Sequence, residues 1–160
     1  MRRPELQLSA RPTPGEAARP VVLDSNIVLD LLLFADPAAA ALRALLGAGR
    51  LRWIATQAMR DELASVLQYA HLQARLQRAG QQADQLLAAF DAGAQLLPAA
   101  ARAPCVCKDA DDQKFIDLAV AERALLLSKD KAVLCMRKRL ESLGVQAVAA
   151  IVFEAQSILP

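Results

Sequence analysis

The sequence predicts an α/β domain whose mostly parallel sheet is covered by helices on both faces. Two features of the chain predict it. Short apolar runs alternate with longer helical stretches from end to end, which is the layout of a parallel sheet with crossover helices. The runs before Asp24 and Ser128, Val21-Val22-Leu23 and Leu125-Leu126-Leu127, are also apolar without alternation, as strands buried on both sides are. A length of 160 residues suits one domain, and with 55% hydrophobic but only 4% aromatic residues its core must be filled by Leu, Val, Ile and Ala.

The elements follow in order. Residues 1–19 are rich in Pro, Arg and Ala and read as a disordered leader, with residues 20–160 as the domain. The leader lacks the apolar stretch of a signal peptide. Pro20 to Asp24 is a strand ending in an acid, and Ile27 to Phe34 a helix. Asp36-Pro37 opens a second helix, with the acid as cap and the proline in the first turn. That helix ends near Gly47 and Gly49. Leu51 to Ala55 is a strand, and Thr56 caps a helical stretch from Gln57 to Asp91 that breaks near Gly80. Ala94 to Leu97 is a strand closed by Pro98. A loop leads to Asp109, which caps a helix over about Ala110 to Arg123. Ala124 to Ser128 is a buried strand, and Lys131 to Leu143 a helix stopped by Gly144. Val145 to Ala149 is the last strand, and Phe153 to Leu159 a short closing helix.

Charge and cysteine content exclude some classes and leave others open. A net charge of +2 neither requires nor forbids a nucleic-acid partner, because the local field at a binding face matters more than the total. No apolar run has the length of a membrane span, so the expected location is the cytoplasm. Cys105, Cys107 and Cys135 are too few for a disulfide scaffold. The Cys105-Val106-Cys107 spacing is too tight for the usual zinc knuckle, and these residues read as small buried hydrophobes.

The acids carry the chemistry. In open parallel sheets, sites form beyond the carboxyl ends of the strands, and Asp24 and Asp130 stand at two such ends. Glu62 lies beside the apolar face of its helix, where a charge is costly unless a cation or a basic side chain compensates it; a salt bridge at the helix edge would serve as well. Asp112 shares a helix face with Phe115, Ile116 and Ala119. Asp109, three residues earlier, reads equally as a cap or as a metal ligand. Three acids at one helix start, Asp109, Asp111 and Asp112, exceed what capping and the helix dipole call for.

Taken in order, strand-Asp24-Ser25-Asn26, helix-Glu62-Leu63, Asp109-Ala-Asp-Asp112-Gln-Lys-Phe and Leu-Leu-Leu-Ser128-Lys-Asp130 resemble the PIN-domain ribonucleases, in particular the bacterial branch of toxin components from toxin–antitoxin pairs. The likeness covers about residues 20–155. It implies a three-layer α/β/α sandwich with an acidic cluster at one edge of the sheet. By position, Asp24, Glu62, Asp112 and Asp130 match the four family acids, and Asn26 and Ser128 the polar residues that accompany them. Asp109 matches an acid frequent in this branch, and Gln113 stands where relatives often carry Asn or Asp.

The resemblance implies hydrolysis of RNA with Mg²⁺ or Mn²⁺, which hard oxygen ligands select over zinc. Asp24 and Asp112 are expected to bind the metal most directly, Glu62 and Asp130 to complete the charge, and Asn26, Ser128 and Asp109 to support them. A metal-activated water is expected to attack the phosphodiester in line. Without metal, like charges at one edge should raise carboxylate pKa values. Lys108, Lys114, Lys129 and Lys131 flank the acids, and Lys114 and Lys129 are the first candidates for substrate contact. Arg137-Lys138-Arg139 reads as solvated surface, and Trp53 as core. An antitoxin protein and a second copy of the chain are the implied partners.

Competing readings are a catalytically weak PIN-like module that acts by binding a protein partner, and a phosphatase of the haloacid dehalogenase type. The phosphatase wants an acid two residues after the first, where this chain has Asn26. A phospho-receiver domain wants an acidic pair before its first helix.

Overall fold

A computed structural model describes residues 3–9 and 15–153. Its elements are β1 (Glu5–Leu8), β2 (Arg19–Leu23), α1 (Ser25–Leu32), α2 (Ala40–Gly47), β3 (Leu51–Ala55), α3 (Gln57–Val66), α4 (Ala70–Arg78), α5 (Ala83–Gly93), β4 (Gln95–Leu96), α6 (Gln113–Glu122), β5 (Leu125–Leu127), α7 (Lys131–Leu134), α8 (Arg137–Ser142), β6 (Gln146–Val148) and β7 (Ala150–Phe153). Short 3₁₀ turns at Pro37–Ala39 and Ala110–Asp112 lead into α2 and α6.

Five strands form an all-parallel sheet in the order β4-β3-β2-β5-β6, with helices on both faces, giving the three-layer α/β/α sandwich. Val21, Val22, Leu125 and Leu126 have no exposed surface, which is why their runs lack alternation. The chain runs outward from β2 through β3 to β4, crosses back through α6 to β5, and then continues to β6 on the other side. The carboxyl ends of β2 and β5 are therefore neighbours at the point where strand order reverses, the place where open sheets form their crevice. Hydrogen bonds from the Asp24 amide to the Leu127 carbonyl (3.1 Å) and from the Ser128 amide to the Val148 carbonyl (3.0 Å) extend the ladder to that rim.

Trp53 lies in the core edge-on to Phe90, with ring centroids 5.0 Å apart. Asp36 caps the turn at Pro37 through the Ala38 amide. Gly144 follows α8 at φ +83°, a left-handed conformation that suits glycine. Thr56 occupies the cap position of α3 without a side-chain capping bond.

Three features depart from the sequence reading. Within the expected disordered leader, Glu5–Leu8 is a strand that pairs in parallel with β7 to form a separate two-stranded sheet. Its polar–apolar alternation lets Leu6 and Leu8 pack against the core. The Gln57–Asp91 stretch breaks twice, at 67–69 as well as near Gly80, and the Lys131–Leu143 helix divides at Cys135 and Met136. Phe153 ends a strand, and the rest of the expected closing helix lies outside the described residues. Cys105 and Cys107 are buried but Cys135 is exposed, so the reading of all three as core holds for two. Among the described residues no helix is long and apolar enough to cross a membrane.

Candidate active site

Asp24 is fixed by its position between strand and helix. It follows β2, caps α1 and is 4% exposed. One carboxylate oxygen accepts from the Ile27 amide at 2.9 Å, and the other accepts from the hydroxyl of the fully buried Ser128. The Ser128 hydroxyl also accepts from the Asp130 amide at 3.1 Å, so a single serine ties the ends of β2 and β5 together. Asp130 caps α7 through the Ala132 amide at 2.9 Å. Burial raises the Asp24 pKa; the Ser128 and Ile27 hydrogen bonds oppose that rise, and the charges of Asp130 and Glu62 add to it.

Asp112 enters from the start of α6. Its Oδ2 is buried without a hydrogen-bond partner. Its pKa is pushed up to about 7, first by burial, then by the adjoining Asp130 carboxyl, with which it can share one proton, and by the charges of Asp130, Asp109 and Asp24. Ligand oxygens of Asp109, Asp112 and Asp130 all lie within 4.8 Å of one another. Around a cation with bonds of about 2.1 Å, neighbouring ligand oxygens stand about 3.0 Å apart and opposite ones about 4.2 Å, so the trio would draw closer together to share one ion. An orphaned buried oxygen and an all-carboxylate donor set fit a hard divalent metal better than zinc.

Asp24, Glu62, Asp112 and Asp130 line one cleft of about 390 Å³. Asp109, Asp112 and Asp130 are the tight group, whereas both oxygens of Asp24 are in protein hydrogen bonds. Asp109 caps the turn at the Asp111 amide (3.0 Å), and a ligand oxygen of its carboxylate still reaches the cluster.

Glu62 is answered from within the protein. Its Oε1 lies 2.7 Å from the Lys114 ammonium, and its Oε2 accepts from the Ser25 hydroxyl. Asn26, expected to support the acids, is exposed, lines the cleft and makes no side-chain hydrogen bond among the described residues. The lysines singled out for substrate contact are both paired internally. Lys114 also bonds the Asp111 carbonyl, and Lys129 pairs with the buried Asp30 in a separate recess. Arg137 and Lys138 are exposed and line another recess, away from the acids.

Two contributions escaped sequence reasoning. Gln113 is buried and staples the loop before Asp109: its side chain accepts from the Cys107 amide (2.7 Å) and donates to the Cys105 carbonyl (3.0 Å) and to Asp117 (2.9 Å). Asp117 in turn accepts from the Ala103 amide at 2.8 Å. Only its departure from the Asn or Asp of relatives marked Gln113. The lining of the cleft also carries Phe34, Val66, Tyr69, His71, Leu72 and Phe115. Nothing in the spacing of these residues along the chain brings them together.

Comparison with known proteins agrees with this architecture. The family model described as "PIN domain" matches residues 20–132. Among solved structures, VapBC2 from Rickettsia felis, bound to a DNA fragment from its promoter, is similar with a TM-score of 0.55 and 14% identity, over 81% of this chain and 98% of that one. A PilT N-terminus domain protein from the archaeon Sulfolobus solfataricus P2 matches with a TM-score of 0.39 and 19% identity, over 80% of this chain and 84% of that one. No curated protein matches. Strand order, acid placement and a family match over more than half its length establish that this chain belongs to the PIN domain family.

Proposed function

We propose that this chain is a metal-dependent endoribonuclease that hydrolyses RNA phosphodiester bonds with Mg²⁺ or Mn²⁺. In this reading it is the cytoplasmic toxin of a toxin–antitoxin pair. The observation that carries the proposal is the meeting of Asp24, Glu62, Asp112 and Asp130 in one cleft, with an Asp112 oxygen buried and unpartnered. Asp112 and Asp130 would hold the metal, joined by Asp109, with Asp24 in the lining of the same cleft. The metal, when bound, would neutralise developing phosphate charge and acidify water. The protein's own part is to fix the carboxylates: Ser128 holds Asp24 and the Asp130 backbone, and Gln113 fixes the loop that brings Asp109 in. The similar VapBC2 assembly motivates the search for a protein partner, and a second copy of the chain is the other candidate.

The test is cleavage of structured and unstructured RNA with Mn²⁺, repeated with EDTA and with Asp24→Asn. The proposal expects cleavage that EDTA stops and that Asp24→Asn lowers by at least about a hundredfold, with the fold retained. Wild-type cleavage rates in Asp24→Asn would refute it. The Lys114–Glu62 pair favours a second reading, a catalytically weak module that acts by binding a protein, because it answers the Glu62 charge without a metal. Absence of cleavage together with capture of an antitoxin-like partner would select that reading.

A further inference from the structure

We infer that the aromatic part of the lining of this cleft is a nucleobase subsite, in which Tyr69 stacks on an unpaired base of the RNA strand, with His71 beside it and Arg75 supplying a phosphate contact. The inference rests on the ribonuclease reading of the acids and adds to it a base-stacking contact made by this chain's own Tyr69.

Singly exposed apolar side chains are ordinary and carry no message. What sets Tyr69 apart is its company. The chain holds one Tyr, one His, one Trp and four Phe, yet this cleft takes the only tyrosine, the only histidine and two of the phenylalanines, Phe34 and Phe115. Tyr69 is 54% exposed in the lining of the cleft, with the His71 ring centroid 6.1 Å from its own. Such a surface offers a base an aromatic face without demanding a particular base edge.

Its backbone is held firmly. Tyr69 precedes α4 at the unexpected break, where its amide donates to the Val66 carbonyl and its carbonyl accepts from the Leu72 and Gln73 amides. The Gln73 side chain pins the Leu67 carbonyl at 2.7 Å, and Leu67 and Leu72 anchor the turn in the core. A rigid turn presents the ring at little entropic cost.

Charge points the same way. Lys114 and Lys129 are held by Glu62 and Asp30. The Arg75 guanidinium, 4.9 Å over the Phe34 ring, has no carboxylate partner among the described residues. It sits beside a cleft residue and balances an otherwise acidic site for a polyanion. A base inside a duplex has both faces stacked on its neighbours, so the subsite takes only an unpaired one.

The test uses the full chain and short oligoribonucleotides, single-stranded or annealed, that carry one fluorescent purine analogue quenched by stacking. In steady-state cleavage with Mn²⁺, Tyr69→Ala is expected to raise KM for the single strand about ten- to hundredfold with kcat within about twofold, while Tyr69→Phe stays at wild-type values. In an Asp24→Asn background, binding should quench the analogue in the single strand, and Tyr69→Ala should abolish the quenching. Unchanged KM in Tyr69→Ala overturns the subsite and leaves the nuclease standing. So does an equal loss in Tyr69→Phe, or a Tyr69→Ala protein whose only change is its oligomeric state. Quenching that depends on Tyr69 without any cleavage by the wild type refutes the nuclease and keeps the subsite. Absence of both effects overturns both.

Discussion

Asp112 concentrates the cost of crowding acids without a cation. With its pKa at about 7 in the fold against 3.8 for the free side chain, the folded protein keeps a proton that the unfolded chain releases between those values. As pH rises through that window the metal-free protein loses stability; below about pH 4 both states are protonated and the effect is absent. Asp112→Asn has no proton to lose and can donate to Asp130. In EDTA at pH 8 it is predicted to be more stable than wild type by about 1 kcal/mol, after discounting for solvent screening, with the gap closing as pH falls towards 4. Thermal unfolding across pH checks this. Saturating Mn²⁺ should reverse the order, stabilising wild type by about 2.7 kcal/mol at a hundred times Kd and the variant far less. Much at this scale was legible: Asp24 and Asp130 declared themselves at strand ends. The reach of flexible side chains was not. Lys114 and Lys129 flank the acids in sequence, but each turns to an internal carboxylate, and Ser25 rather than its neighbour Asn26 meets Glu62.

Elements were read best where backbone chemistry marks their ends. Gly80, at φ +66°, breaks the long helical stretch as expected. The break at Leu67-Gln68-Tyr69 has no glycine or proline to announce it; it is held by the Gln68 and Tyr69 amides on the Ser65 and Val66 carbonyls and by the Gln73 side chain on the Leu67 carbonyl. The loop held by Gln113 is a similar case, since its hydrogen bonds cross from α6 to residues far from any helical register. Gln113→Leu leaves the buried Cys107 amide without its acceptor and should cost about 1–3 kcal/mol in denaturant unfolding, with an unchanged m-value. Mn²⁺ affinity should fall alongside, because Asp109 loses its anchored approach; a variant that binds Mn²⁺ as wild type does would show the loop to be irrelevant to the site.

Across the whole molecule, the order β4-β3-β2-β5-β6 is what makes a site. The reversal of strand order puts the ends of β2 and β5 side by side, and acids distant in sequence meet there. The alternation of strands and helices announced a parallel sheet and acids at strand ends, but not the order of its strands. Nor did it announce the β1–β7 sheet, because each of its strands needs a partner from the opposite end of the chain, and averaged composition hid the alternation in Glu5–Leu8. Removing residues 1–9 should lower the thermal midpoint, since Leu6 and Leu8 lose their cover, but leave the Mn²⁺-induced stabilisation intact, because no residue of the cleft belongs to β1. The most direct test of the central claim, that these carboxylates converge to hold one divalent cation, is the anomalous signal of Mn²⁺ in crystals of the full chain. The account predicts a peak at about 2.0–2.2 Å from oxygens of Asp112 and Asp130, absent in Asp112→Asn. Saturating Mn²⁺ with no peak in this cleft, or a peak held by other residues, would contradict it.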